Sequence, residues 1–130
     1  MSRVQLALNV SDIETAIAFY SKLFGMEPAK VRPGYANFAV ADPPLKLVLI
    51  ENPEQGATLN HLGVEVASSD EVVAAQTRLA GDGLNTRSED GVACCYARQD
   101  KVWVSDPDGA AWEVYTVLAD ADTATAVGCC

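Results

Sequence analysis

The chain has 130 residues, enough for one domain with a real hydrophobic core. Half of it is apolar, a fifth is charged, and the net charge is −9. That charge excludes a protein whose main work is gripping nucleic-acid phosphates or an anionic membrane surface, because both need clustered Lys and Arg.

Acidic residues at Asp12 and Glu14 interrupt the opening apolar run too soon for a secretory leader. No apolar stretch approaches a membrane span of roughly 20 residues. The expected setting is therefore cytoplasmic, where thiols stay reduced. The four cysteines fall in two adjacent pairs, Cys94-Cys95 and Cys129-Cys130. This does not read as a disulfide framework; it reads as thiols available for chemistry or for soft metals.

The first strand-like run is Gln5–Val10, in which Leu6, Leu8 and Val10 alternate with Gln5, Ala7 and Asn9. A helix follows. Ser11 and Glu14 stand at capping-box spacing, and Ile13, Ala16, Ile17, Tyr20, Leu23 and Phe24 recur along one helical face. Gly25 is placed to stop it. Three further strands are expected, at about 27–32, at Tyr35–Val40 and at Leu45–Glu51, separated by Pro33-Gly34 and Pro43-Pro44.

The pattern then repeats with His61 lying over Gln5. His61–Val66 alternates as the first strand does, and Ser68 and Glu71 open a weaker helix whose face carries Val72, Ala75 and Leu79, with Gly81 after it. Strands are expected at about 85–90, at Lys101–Ser105 and at Ala111–Leu118, the last two joined by the turn Asp106-Pro107-Asp108-Gly109. The final residues, ADADTATAVGCC, lack periodicity and read as a mobile tail. The expected fold is α+β: two βαβββ modules, about 1–51 and 60–118 in a single domain, forming a curved mixed sheet around a cleft, with the helices outside.

Strand period assigns faces. Leu62, Val64 and Val66 should pack on the second helix, leaving His61, Gly63 and Glu65 on the other side; Trp112 and Val114 likewise oppose Glu113 and Tyr115. Gln5, His61 and Glu113 thus fall on faces the helices do not cover. An imidazole, a carboxylate and a neutral oxygen suit a divalent first-row metal and leave positions open for substrate, water or dioxygen. Glu65, on the face of His61, is a rival ligand. Cys94-Cys95 is a second chemical feature: adjacent thiols can grip one thiophilic atom together, though two small apolar side chains in a strand would look the same.

QLALNVSDIETAIAFYSKLFG, NHLGVEV and DPDGAAWEVYTV resemble the vicinal oxygen chelate, or glyoxalase/bleomycin-resistance/dioxygenase, superfamily over residues 1–118. That resemblance implies metal ligands at Gln5, His61 and Glu113. With ACCYARQDKVWV and WEVYTVLAD added, the chain is similar to the organoarsenical carbon–arsenic lyases and the related cadmium-induced proteins. The narrower resemblance implies an Fe(II)- and dioxygen-dependent enzyme that releases arsenite from methyl or aromatic trivalent organoarsenicals held by Cys94 and Cys95. It allows Ni, Co or Zn in the same site, and a monomer or homodimer.

On this reading the cysteines sit in a segment beside Asp90-Gly91 that swings toward the metal, Arg98 and Lys101 lower the thiol pKa values, and Tyr35, Phe38, Trp103, Tyr115 and Lys101 are candidate pocket residues. A cadmium or soft-metal binder without catalysis is the alternative. A glyoxalase-like metalloenzyme is a third reading, but it leaves the cysteine pair idle.

Overall fold

A computed structural model describes residues 2–121. Its elements run β1 (Arg3–Val10), α1 (Ile13–Phe24), β2 (Lys30–Arg32), β3 (Tyr35–Val40), β4 (Leu45–Glu51), β5 (Thr58–Glu65), α2 (Ser69–Gly81), β6 (Arg87–Cys94), β7 (Ala97–Ser105) and β8 (Ala111–Asp120). This is βαβββ twice, and the fold class is α+β as expected. Two compact units emerge: Val4–Asn60, and His61 onward together with the chain before Val4. No helix among the described residues is long and apolar enough to cross a membrane.

In the first unit the strand order is β2-β3-β4-β1, with β1 parallel to β4 and the other pairs antiparallel. Phe38, Val40, Leu47 and Leu49 are buried together, and Leu6, Leu8 and Val10 of β1 pack on them with Ile13, Ile17, Tyr20 and Phe24 of α1. The helical period of one element meets the two-residue period of the other. Phe38 is therefore an ordinary core residue and not a pocket wall. The N-cap of α1 is Asp12, whose carboxylate accepts from the Thr15 N–H at 2.9 Å. Ser11 does not cap it, which corrects the expected capping box by one position. Gly25 ends the helix at φ +64°, a left-handed conformation in which a Cβ is strained.

The second unit repeats the plan. Its order is β5-β8-β7-β6, with β5 parallel to β8. Here Ser68 caps the helix as expected: its Oγ accepts from the Glu71 N–H, while the Glu71 carboxylate accepts from the N–H of Ala67, one residue before the cap, at 2.8 Å. Val64, Val66 and Val114 face Ala74 and Ala75 of α2, as the alternation requires. Between β7 and β8, Asp106 Oδ1 accepts from the N–H groups of Asp108 and Ala110, and Gly109 takes φ +87°.

One expectation is overturned. The cysteines do not occupy a loop between two short strands. β6 and β7 extend toward each other until Cys94 pairs with Ala97, leaving a two-residue turn made by Cys95 and Tyr96. Both turn residues have positive φ, 48° and 62°. Such turns favour Gly, Asn or Asp, so the sequence carried no turn signal here. Ala119 and Asp120, the first residues of the expected tail, pair in β8 with Arg98 and Ala97, and residues 122–130 of that tail lie outside the described residues. Cys129 and Cys130 lie outside the described residues.

Candidate metal centre

β5 brings His61, and β8 brings Glu113, to the sheet face that α2 does not cover. Both are buried, and His61 Nε2 lies 2.8 Å from Glu113 Oε2. The other carboxylate oxygen, Oε1, is 2.7 Å from Lys101 Nζ. Lys101 is 1% exposed and arrives on β7 opposite Tyr115. Its ammonium lies 5.3 Å from the Trp103 ring centroid and 6.0 Å from that of Tyr115. Burial by itself would push the Glu113 carboxyl up. The His61 hydrogen bond and the Lys101 charge outweigh it and hold the group below its ordinary range. Lys101 thus serves Glu113. It does not sit beside the cysteines as a pKa-lowering group.

Trp103 is wedged against the same pair. Its ring meets the His61 ring edge-on at 5.5 Å, and its Nε1–H donates to Glu89 at 2.9 Å. Tyr115 donates its hydroxyl to Glu65 at 3.1 Å, and Arg3 Nη2 reaches the same Glu65 oxygen at 3.0 Å. Burial, then the charges of Glu65 and Glu113, push the Tyr115 phenol far above its ordinary range, so it stays a donor. The structure therefore separates the two candidate acids on β5 and β8. Glu113 faces His61, whereas Glu65 is engaged by Arg3 and Tyr115. Tyr115→Phe is expected to cost about 1.5–3 kcal/mol in urea unfolding, the worth of a hydrogen bond to a charged acceptor. Divalent-metal affinity should stay within about threefold of the native protein in the same buffer.

Gln5 belongs to the first unit. It is 4% exposed, on the β1 face turned away from α1, paired in register with Lys46. Tyr35 is also buried there and accepts from Asn37 Nδ2 at 2.9 Å. In that unit β4 runs beside β1 as β8 runs beside β5, and the residue standing to Ala7 as Glu113 stands to Gly63 is Val48. The first unit carries an amide, Gln5, at the β1 position that corresponds to His61 in the second. Among the described residues, no three His, Cys, Asp or Glu side chains cluster as a metal site.

The donors present fit a divalent ion. A nitrogen and an oxygen converge in a buried place, and the second carboxylate oxygen is already held by Lys101, as outer-shell partners commonly hold metal-ligating carboxylates.

The cysteines stand apart from this pair. Cys94 is fully buried, and both Cys94 and Cys95 are disulfide-bonded in the structure. Both cysteines, expected as reduced thiols, are thus oxidised here. Cys94 shares the face of Ala97, Gln99, Lys101 and Trp103, but at the far end of the hairpin. From the Ala97 level to the Trp103 level the strand rise gives about 20 Å. Arg98 is paired with Ala93, one residue off that face.

What the sequence missed is the joint between the hairpin tip and its base. The β6–β7 register shifts between Glu89 and Val92, and the β7–β8 register shifts between Arg98 and Gln99. Asp100 spans this level, accepting from the Gly91 N–H at 2.7 Å and from the Ser69 hydroxyl of α2. Only Asp90-Gly91 hinted at the joint in the sequence.

This is a βαβββ pair with a buried His–Glu couple on the sheet face, and the chain belongs to the Glyoxalase/Bleomycin resistance protein/Dioxygenase superfamily, whose family model matches residues 3–114. It is 68% identical over 123 residues to the cadmium-induced protein CadI of Mycobacterium bovis, covering 95% of this chain and 81% of that one. It is 65% identical over 124 residues to a trivalent organoarsenical cleaving enzyme of Thermomonospora curvata, covering 95% and 82%. Among solved structures, homoprotocatechuate 2,3-dioxygenase from Arthrobacter globiformis superposes with a TM-score of 0.65 at 20% identity, covering 91% of this chain and 36% of that one. That likeness speaks for the fold alone.

Proposed function

We propose that the chain cleaves the carbon–arsenic bond of trivalent organoarsenicals, methyl or aromatic, in a reaction that consumes dioxygen, requires Fe(II) and releases arsenite. The observation that carries this reading is the buried His61–Glu113 couple braced by Lys101, in a chain 65% identical to an organoarsenical cleaving enzyme. Gln5 is proposed as the third protein donor, a neutral amide that binds more weakly than a second imidazole or carboxylate. When bound, the ferrous ion supplies one-electron and dioxygen chemistry that no side chain here provides. Ni, Co or Zn would suit the same donors and fill the site without that chemistry.

The chain's own residues do the rest. Lys101 ties down Oε1 of Glu113 and leaves Oε2 turned to His61. Trp103 fixes the His61 ring from the side. Cys94 and Cys95, reduced to the dithiol, displace the two hydroxyl groups on arsenic as two waters, so that two arsenic–oxygen bonds give way to two sulfur–arsenic bonds and the third substituent, the organic group, is left exposed. The paired register shifts at the base of the hairpin mark where its tip would bend to shorten the distance of about 20 Å. A cytoplasmic setting would keep the pair reduced.

The 68% identity to a cadmium-induced protein favours a second reading, soft-metal binding by the cysteines without catalysis. Reduced protein supplied with Fe(II), air and methylarsenite separates the two. The lyase reading expects arsenite release with matched oxygen uptake. It also expects Cys94→Ser and Cys95→Ser to lower release by about 100-fold or more, since the substrate loses its anchor. Tight cadmium binding with no arsenite release and no oxygen uptake would leave the binder reading standing instead. Native turnover in both serine variants would remove the thiols from the mechanism.

A further inference from the structure

Gln99 is 4% exposed, an amide on the sheet face shared by Cys94, Ala97, Lys101 and Trp103. Its Nε2–H donates to the backbone carbonyl of Cys94 at 2.8 Å, and both partners are buried. Burying an amide is costly unless it is hydrogen-bonded, and an apolar side chain of that size would fill the same space without the cost. The bond is also aimed at one particular place. The Cys94 carbonyl belongs to the peptide group that joins Cys94 to Cys95.

That peptide decides what the two thiols can do together. Neighbouring side chains on a regular strand point to opposite faces, so adjacent cysteines in extended backbone cannot both reach one atom. Cys95 leaves the strand conformation at φ +48°, and Tyr96 follows at +62°. The peptide between the cysteines is a rigid plane. The backbone torsions that turn one side chain relative to the other are therefore those on either side of it, ψ of Cys94 and φ of Cys95. A hydrogen bond to the peptide oxygen restrains both.

We infer that Gln99 is a positioning residue for the thiol pair: it fixes the Cys94–Cys95 peptide so that the two sulfurs of the reduced protein converge on one trivalent arsenic atom. The inference rests on the thiol anchor within the lyase reading and adds the side chain that sets its bite. Reduction leaves both partners of the bond in place, because neither is a sulfur atom. Once the first sulfur–arsenic bond has formed, a prealigned second thiol closes the chelate as an intramolecular step, whereas a freely turning peptide must lose that freedom on binding. Gln99 stands next to Lys101 on the strand face, about 7 Å along it. One face of β7 thus aligns the substrate's anchor with one side chain and braces the Glu113 carboxylate with the next.

Two measurements test it. Gln99→Met keeps an unbranched side chain of similar length and removes the donor. The first uses reduced, metal-free protein without air, in a Cys129→Ser, Cys130→Ser parent, so that only Cys94 and Cys95 bind arsenic. Titrated calorimetrically with methylarsenite, Gln99→Met should bind about tenfold more weakly than that parent, the worth of one buried hydrogen bond. The lone thiol left in Cys94→Ser or in Cys95→Ser has no partner to align with. Its rate of alkylation by iodoacetamide should therefore change less than about twofold when Gln99→Met is added. Unchanged methylarsenite affinity in folded Gln99→Met would overturn the inference. An equal slowing of single-thiol alkylation would overturn it too, because the loss would then report access and not alignment. The second measurement needs no variant. In the reduced native protein the Gln99 side-chain amide protons, followed by NMR, should exchange with solvent at least about 100-fold more slowly than those of exposed Gln55. Exchange at the Gln55 rate would show that Gln99 does not hold the peptide. If the parent itself fails to bind methylarsenite through both thiols, the anchor in the lyase reading fails, and the amide exchange still decides the role of Gln99.

Discussion

His61→Ala is expected to weaken Fe(II) or Co(II) binding by at least about 100-fold, measured by anaerobic titration of the metal-free protein. Removing an outer partner of a ligand commonly costs 10–100-fold, and loss of a ligand itself should cost no less. The geometry says why the effect should be large. His61 is the sole histidine, and its Nε2 converges with Glu113 Oε2 at 2.8 Å. Without it, Glu113 retains a ready cation in Lys101, 2.7 Å from its other oxygen, and gains little from a weakly held ion. Circular dichroism of the variant should match the native protein. Native metal affinity in a folded His61→Ala protein would move the centre elsewhere.

Lys101→Met should be the most destabilising single change at the centre, by about 3–5 kcal/mol in urea unfolding of metal-free protein at neutral pH. Breaking a buried ion pair from one side strands the other charge, and here both partners are almost fully buried. Methionine fills the aliphatic volume, so the loss reports charge and not a cavity.

The pH dependence has a definite sign. Glu113 is held below its ordinary range in the folded chain. Its contribution to stability is therefore present above the unfolded carboxylate value of about 4.3 and fades as pH falls through the lower folded value. In Lys101→Met one of the lowering influences is gone and the folded value rises. The variant's deficit relative to native should then shrink as both approach pH 3, because protonation removes the stranded charge. A deficit under about 1 kcal/mol at pH 7, or one that grows on acidification, would contradict the assigned role of Lys101.

Much of the module plan was legible because it depends on short-range rules. Alternation in QLALNV and HLGVEV, the helical spacing from Ile13 to Phe24, Gly25 after it and the DPDG turn each act within a few residues. The hairpin carrying the cysteines was illegible for the opposite reason. Its turn uses Cys95 and Tyr96 at positive φ, residues without turn preference, and its strands are specified by pairing partners far along the chain. Phe38 shows the limit of residue type alone: an aromatic on a strand suits a pocket or a core, and contact with α1's apolar face decided for the core.

By itself the sequence determined which side chains point to which face, because a strand's side chains alternate with a period of two wherever the strand lies. That put His61 and Glu113 away from the helix and left Glu65 as a rival. Only tertiary structure gave the two acids different partners. Parallel pairing of β5 with β8 and antiparallel pairing of β8 with β7 carried Lys101 to Glu113, and Arg3 and Tyr115 to Glu65. Register is set by which strands meet, and residues such as His61 and Glu113, 52 apart in the chain, become neighbours only once the sheet has formed.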